Sequence, residues 1–223
     1  MKRAYRYNSN NVSTKISTWG HKRLILGLTV LFCTLYNINF VQAKHLLVFG
    51  DSLSAAYGME LEQGWVTLVA NELGENHRVS NASISGETSI GGLARLPETL
   101  KELNPDVVML ELGANDGLRG LSIQSIKSNL ASMIKLIQAS GAQVILVGIS
   151  VPASYGPRYI DQFRDVYQEL VNEYKLAFID FYNETLLSQA NMIQADGLHP
   201  TIEAQPLIKE SVMLFFKTQQ LFN

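Results

Sequence analysis

The chain is poor in cysteine, and its first forty-odd residues have no acidic side chain at all. The one thiol, Cys33, lies in an apolar stretch near the N-terminus, with bulky Leu31 and Phe32 before it. A disulfide framework and a cysteine-ligated metal site are therefore excluded, and a lipid-anchored cysteine is disfavoured. Long apolar runs are also missing. The longest, from Leu24 to Tyr36, is too short to span a bilayer comfortably. Charged residues make up 17% of the chain against 47% hydrophobic, which excludes disorder and predicts a packed core.

Turning to what is present, Lys2, Arg3, Arg6, Lys15, Lys22 and Arg23 precede the apolar stretch, and Val41-Gln42-Ala43 follows it with small residues at the positions a signal peptidase reads. This is the pattern of a secretory signal peptide over residues 1–43, with the mature domain running from Lys44 to the C-terminus and exported to the periplasm or beyond. An uncleaved N-terminal anchor is the alternative. Without the leader, 12 basic residues face 20 acidic ones, a net charge of −8. Nucleic acid is thus excluded as a partner, because phosphate binding needs basic clusters. No stable membrane span is expected in the mature form, and nothing argues against a monomer.

Apolar runs predict strands at His45–Phe49, Arg78–Asn81, Val107–Leu112, Gln143–Ile149 and Ala177–Phe181. Val107-Val108-Met109-Leu110 and Val144-Ile145-Leu146-Val147 are continuous, as expected of parallel strands covered on both faces. Helical spacing predicts helices at Trp65–Leu73, Leu93–Leu103, Ile123–Ala139, Tyr159–Tyr174 and Ile202–Phe216. The alternation predicts one three-layer α/β domain with a mostly parallel five-stranded sheet. Ligands of such sheets bind beyond the carboxyl ends of the strands.

Four segments stand at those ends. They are Gly50-Asp51-Ser52-Leu53-Ser54, Asn81-Ala82-Ser83-Ile84-Ser85-Gly86, Gly113-Ala114-Asn115-Asp116-Gly117 and Asp196-Gly197-Leu198-His199-Pro200. Acyl transfer needs a nucleophile, a base, a group that orients the base, and donors aimed at the developing oxyanion. Ser52, His199 and Asp196 fit the first three roles, and the Ser52 N–H, the Gly86 N–H and the Asn115 side chain fit the fourth. Taken singly, each has a simpler reading: Ser52 as a helix cap, Asp196 and His199 as a surface turn, Gly86 and Asn115 as turn residues. Their joint occurrence at successive strand ends outweighs those readings. The G-x-S-x-G elbow of α/β-hydrolases is not met, because Ser54 stands where its second glycine would be.

The four segments resemble the sequence blocks of the GDSL, or SGNH, serine hydrolase family, with Ser52, Gly86, Asn115 and His199 as the Ser, Gly, Asn and His. The likeness is strongest to the branch of periplasmic thioesterase I, lysophospholipase L1 and arylesterase. It extends through Gly91–Pro97, Glu111–Gly113, Asp116–Gly120 and Pro152–Gly156. The resemblance implies a flavodoxin-like fold, a Ser52–His199–Asp196 triad, and hydrolysis of acyl thioesters, lysophospholipids and carboxylic or aryl esters through an acyl-enzyme. It implies no metal or cofactor, and it makes residues 116–121 a mobile loop beside the acyl site.

Leu118, Leu121, Ile149, Val151 and Tyr155 are expected to line that site and to favour a longer acyl chain. Val151 stands where the branch often has a leucine. A carbohydrate O-acetylesterase of the same family is the alternative enzyme. A non-catalytic flavodoxin-like binding module, with Mg²⁺ between Asp51 and Asp116, is the alternative from another class, and it leaves Asn115 and His199 without a role.

Overall fold

A computed structural model describes residues 43–180 and 191–222. The signal-peptide reading of residues 1–43 therefore falls almost wholly outside the described residues. The strands are β1 (His45–Gly50), β2 (Arg78–Asn81), β3 (Val107–Glu111), β4 (Gln143–Val147) and β5 (Ala177–Ile179). All pair in parallel, in the order β2-β1-β3-β4-β5. The helices are α1 (Trp65–Leu73), α2 (Ser89–Leu103), α3 (Ala114–Leu118), α4 (Ile123–Ala139), α5 (Pro157–Tyr174) and α6 (Gln205–Thr218).

Side chains alternate along the strands and so divide the core in two. Leu47, Phe49, Val108, Leu110 and Leu146 pack beneath α2, α4 and α5, through residues such as Leu96, Leu130, Met133, Phe163 and Leu170. Leu46, Val48, Met109, Ile145 and Val147 pack on the opposite face against Trp65 and Val69 of α1 and Ile208, Val212 and Phe216 of α6. β1, β3 and most of β4 are buried along their length, which is why they read as continuous apolar runs. β2 is an edge strand and alternates with polar residues instead.

Local sequence features bound two of the helices. The Thr88 hydroxyl accepts from the Gly91 N–H at the start of α2, and Asn104 takes a left-handed conformation (φ 43°) at its end. Pro157 opens α5, where its missing N–H costs nothing. Three helix starts differ from expectation. α2 begins four residues early and α5 two, while α6 begins three residues late, because turns occupy positions 202–204. Of the strand expected at Ala177–Phe181, Phe181 lies outside the described residues.

The order β2-β1-β3 places the point where the chain reverses its direction of travel across the sheet between β1 and β3. From β1 the chain moves through α1 to β2, then crosses back through α2 to β3 on the other side of β1. A crevice opens at the carboxyl ends of these two neighbouring strands.

Candidate active site

Ser52 stands two residues beyond β1, on a turn in which the Ser54 and Ala55 N–H groups both donate to the Asp51 carbonyl. Its hydroxyl is not spent on a helix cap. Ser52 Oγ lies 2.8 Å from His199 Nε2. On the far side of the ring, His199 Nδ1 lies 2.6 Å from Asp196 Oδ2. The other Asp196 oxygen accepts the backbone N–H groups of Leu198 (2.9 Å) and His199 (3.0 Å), so the loop folds on its own carboxylate. Desolvation tends to raise the Asp196 pKa, but its hydrogen bonds from the His199 ring and the two amides outweigh this and bring it down to about 2.

Two contacts the sequence did not suggest hold His199 in place. Tyr57 stacks on its ring, with centroids 4.1 Å apart. The Gln194 side-chain amide donates to the Tyr57 carbonyl (3.0 Å) and to the Pro200 carbonyl (2.9 Å), joining the nucleophile turn to the histidine loop. Neither residue carries a local signal, because both act between segments about 140 positions apart.

Asn115 lies in the first turn of α3, which follows Gly113 at φ 122°. Its Nδ2 donates to Asp51 Oδ2 (3.0 Å), leaving its second hydrogen for the crevice. Gly86 has φ +80°, and a Cβ there would meet nothing within 4 Å. Its conformation, rather than crowding by its own chain, is what asks for glycine. Arg119 Nη2 donates to the Gly86 carbonyl (3.1 Å).

A pocket of about 270 Å³ opens between these groups. Ser52, Gly86, Asn115 and His199 all line it, beside an apolar wall of Leu53, Ala114, Leu118, Ile149, Pro152 and Leu198. Of the side chains expected at the acyl site, Leu118 and Ile149 are on this wall. Val151 instead packs into the core beneath Gly117, where a Cβ on that glycine would come within 2.6 Å of it. Tyr155 turns its hydroxyl to the Leu118 carbonyl (2.6 Å), and Tyr159 reaches the Gly117 and Leu121 carbonyls. Both therefore brace the backbone of residues 117–121 from outside. Leu121 is exposed at 39% and away from the pocket wall. Spacing along the chain cannot tell a wall residue from one supporting the wall.

Asp51 and Asp116, the pair considered for Mg²⁺, are each engaged by donors. Asp51 Oδ1 accepts the Leu53 N–H, and Asp116 accepts both the N–H (2.7 Å) and the hydroxyl (2.6 Å) of Ser89. Among the described residues, no three His, Cys, Asp or Glu side chains gather as metal ligands.

Beneath the site lies a residue the sequence reading used only as part of a motif. Glu111, the last residue of β3, is fully buried. Its Oε2 accepts the Asp51 N–H (3.1 Å) and the Ser54 hydroxyl (2.8 Å).

Comparisons with known proteins show the family. A model of the GDSL-like lipase/acylhydrolase family matches residues 48–205. Esterase TesA of Pseudomonas aeruginosa is 50% identical over 173 residues, which cover 76% of this chain and 86% of the relative. Thioesterase 1/protease 1/lysophospholipase L1 of Escherichia coli strain K12 is 39% identical over 183 residues, covering 82% of this chain and 88% of the relative. The crystal structure of the psychrotrophic esterase EstA from Pseudoalteromonas sp., inhibited by monoethylphosphonate, superposes with a TM-score of 0.75 at 38% identity, covering 79% of this chain and 98% of that one.

Proposed function

The chain belongs to the GDSL-like lipase/acylhydrolase family and is an ester hydrolase, and on that premise we propose that it opens acyl esters and thioesters through an acyl-enzyme on Ser52. The observation that carries this reading is the continuous hydrogen-bonded path from Ser52 Oγ through the His199 ring to Asp196. His199 Nε2 takes the serine proton as Oγ attacks the acyl carbon. Asp196 fixes the ring with Nδ1 protonated and stabilises the imidazolium that forms. The carbonyl oxygen, now negative, is received by the Ser52 N–H, the Gly86 N–H and the free hydrogen of Asn115 Nδ2. His199 then returns the proton to the departing alcohol or thiol. Water repeats the sequence and releases the acid.

The apolar wall supports an acyl group longer than acetyl, because methylenes leaving water there contribute about 0.8 kcal/mol each. Lysophospholipids, acyl thioesters and aryl esters share such an acyl part and differ in the leaving group, which lies on the open side. This disfavours a carbohydrate O-acetylesterase, whose recognition would rest on polar contacts to the sugar. Export to the periplasm follows from the leader pattern over residues 1–43. Among the described residues, no helix is long and apolar enough to cross a membrane.

The test is Ser52→Ala. The folded variant should lose turnover of p-nitrophenyl acyl esters and labelling by a fluorophosphonate, with an unchanged melting curve. Retained turnover would overturn the assignment.

A further inference from the structure

Glu111 lies directly under the nucleophile turn, where its Oε2 accepts the Asp51 N–H (3.1 Å), and neither Asp51 nor Glu111 is exposed to solvent at all. Their hydrogen bonds differ. Asp51 accepts on both oxygens, from the Leu53 N–H and from Asn115 Nδ2, as suits an ionised carboxylate. Glu111 accepts twice on Oε2, while its buried Oε1 accepts from no group among the described residues. Two adjacent buried carboxylates cannot both stay ionised, and an ionised oxygen with no donor is the costlier place for charge.

Resting on the reading of Ser52 and Asn115 above, we propose that Glu111 is a positioning residue that works as a neutral acid. Its carboxyl O–H keeps its proton and donates a hydrogen bond to the Asp51 carboxylate, and Asp51 in turn holds the Asn115 amide toward the oxyanion. Asp51 is the only link in this chain that touches Asn115. Glu111 touches neither substrate nor reacting atoms, and acts by keeping Asp51 in one orientation without adding a second negative charge beneath the oxyanion. Burial, and then the Asp51 charge, push the Glu111 carboxyl well above the usual range.

The other ionisable groups facing the pair are Asp116 from α3, Tyr167 from α5 and His199. None can take the proton's place. The Tyr167 hydroxyl donates to the Leu112 carbonyl, Asp116 is engaged by Ser89, and the His199 ring nitrogens face Asp196 and Ser52.

The experiment compares Glu111→Gln, Glu111→Ala, Asn115→Ala and the Glu111→Ala/Asn115→Ala double variant on a p-nitrophenyl butyrate probe, with kcat and KM measured across pH. Glutamine has the shape and the donor of the neutral acid, so it should keep kcat within about threefold and lose any alkaline decline due to Glu111 ionisation. Alanine should lower kcat by about ten- to a hundredfold with KM little changed, since an oxyanion donor acts in the transition state. In the Asn115→Ala background, the same alanine change should cost almost nothing more. The infrared carbonyl band of a buried neutral carboxylic acid should be present in the parent enzyme and absent from Glu111→Gln, a readout that needs no alanine variant to fold.

Three results would overturn the proposal: a glutamine variant as inactive as alanine, losses that add in the double variant, or the absence of the neutral-acid band. Ser52→Ala, run alongside, separates the two readings. If it retains turnover, the site assignment has failed. If it is inert while one of the three results appears, the role of Glu111 alone has failed.

Discussion

At the scale of single residues, the candidate site combines a shallow part and a deep part. Asp196 is partly exposed, at 38% of its side chain, yet three donors converge on it. Removing it leaves His199 free to turn and to adopt the wrong tautomer. Asp196→Ala should therefore lower kcat by about 10⁴-fold with little change in KM, measured by steady-state kinetics on an aryl ester. Gly50 belongs to the deep part. A Cβ there would stand 2.4 Å from Glu111 Oε2 and 3.0 Å from the Glu111 carbonyl. Neither atom can retreat easily, because Glu111 is the buried last residue of β3, paired beside Gly50 of β1. Gly50→Ala should cost about 1–3 kcal/mol of stability in urea unfolding, and should also slow catalysis by displacing the Asp51 carboxylate.

At the scale of elements, the loops after β1, β2 and β3 and the loop before α6 supply the working groups, and these loops must keep register with one another. Gln194 carries one such connection through its two hydrogen bonds, between the turn after β1 and the loop before α6. Gln194→Ala should destabilise by about 1–2 kcal/mol, as two hydrogen bonds are lost. It should also reduce kcat by up to about tenfold through looser placement of His199 against Ser52. Differential scanning calorimetry and kinetics on the same preparation check both. On the opposite side of the pocket, Tyr155 and Tyr159 hold the carbonyls of Gly117, Leu118 and Leu121. The expectation of a mobile segment at 116–121 thus has a physical anchor to act against: these hydroxyl contacts must break for the segment to move.

At the scale of the whole molecule, the buried acids give stability a definite pH dependence. Burial raises Asp51 to about 6 and pushes the Glu111 carboxyl well above the usual range, so the folded protein binds protons that the unfolded chain has released above pH about 4. Stability therefore falls as pH rises from there, by about 1.4 kcal/mol per pH unit for each such proton. The Asp51 contribution ends near pH 6, and that of Glu111 ends where its own raised carboxyl ionises. Asp196 works in the opposite direction: its contribution is complete above about pH 4 and is lost as pH falls towards 2. Glu111→Gln should accordingly flatten the decline of stability above pH about 4 relative to the parent, as read from urea midpoints in a pH series. An unchanged slope would mean that Glu111 is ionised in the folded protein.

Much of this was legible in the chain itself. Continuous apolar runs specified β3 and β4, because strands covered on both faces have no polar side to alternate with. Helical spacing located Trp65–Leu73 and Ile123–Ala139 to the residue, and Ser52, Gly86, Asn115, Asp196 and His199 stand out because of the chemistry each carries in its segment. What only the tertiary structure decided was direction and depth. Val151 and Tyr155 have the same apolar character as Leu118, and only the packing of the 117–121 backbone separates support from wall. Tyr57, Gln194 and Glu111 act across about 60 to 140 positions of sequence, a range at which local pattern carries no information. The sequence thus determined which groups could react. The crossover that sets β1 beside β3 decided which of them meet, and which buried acid lies beneath them.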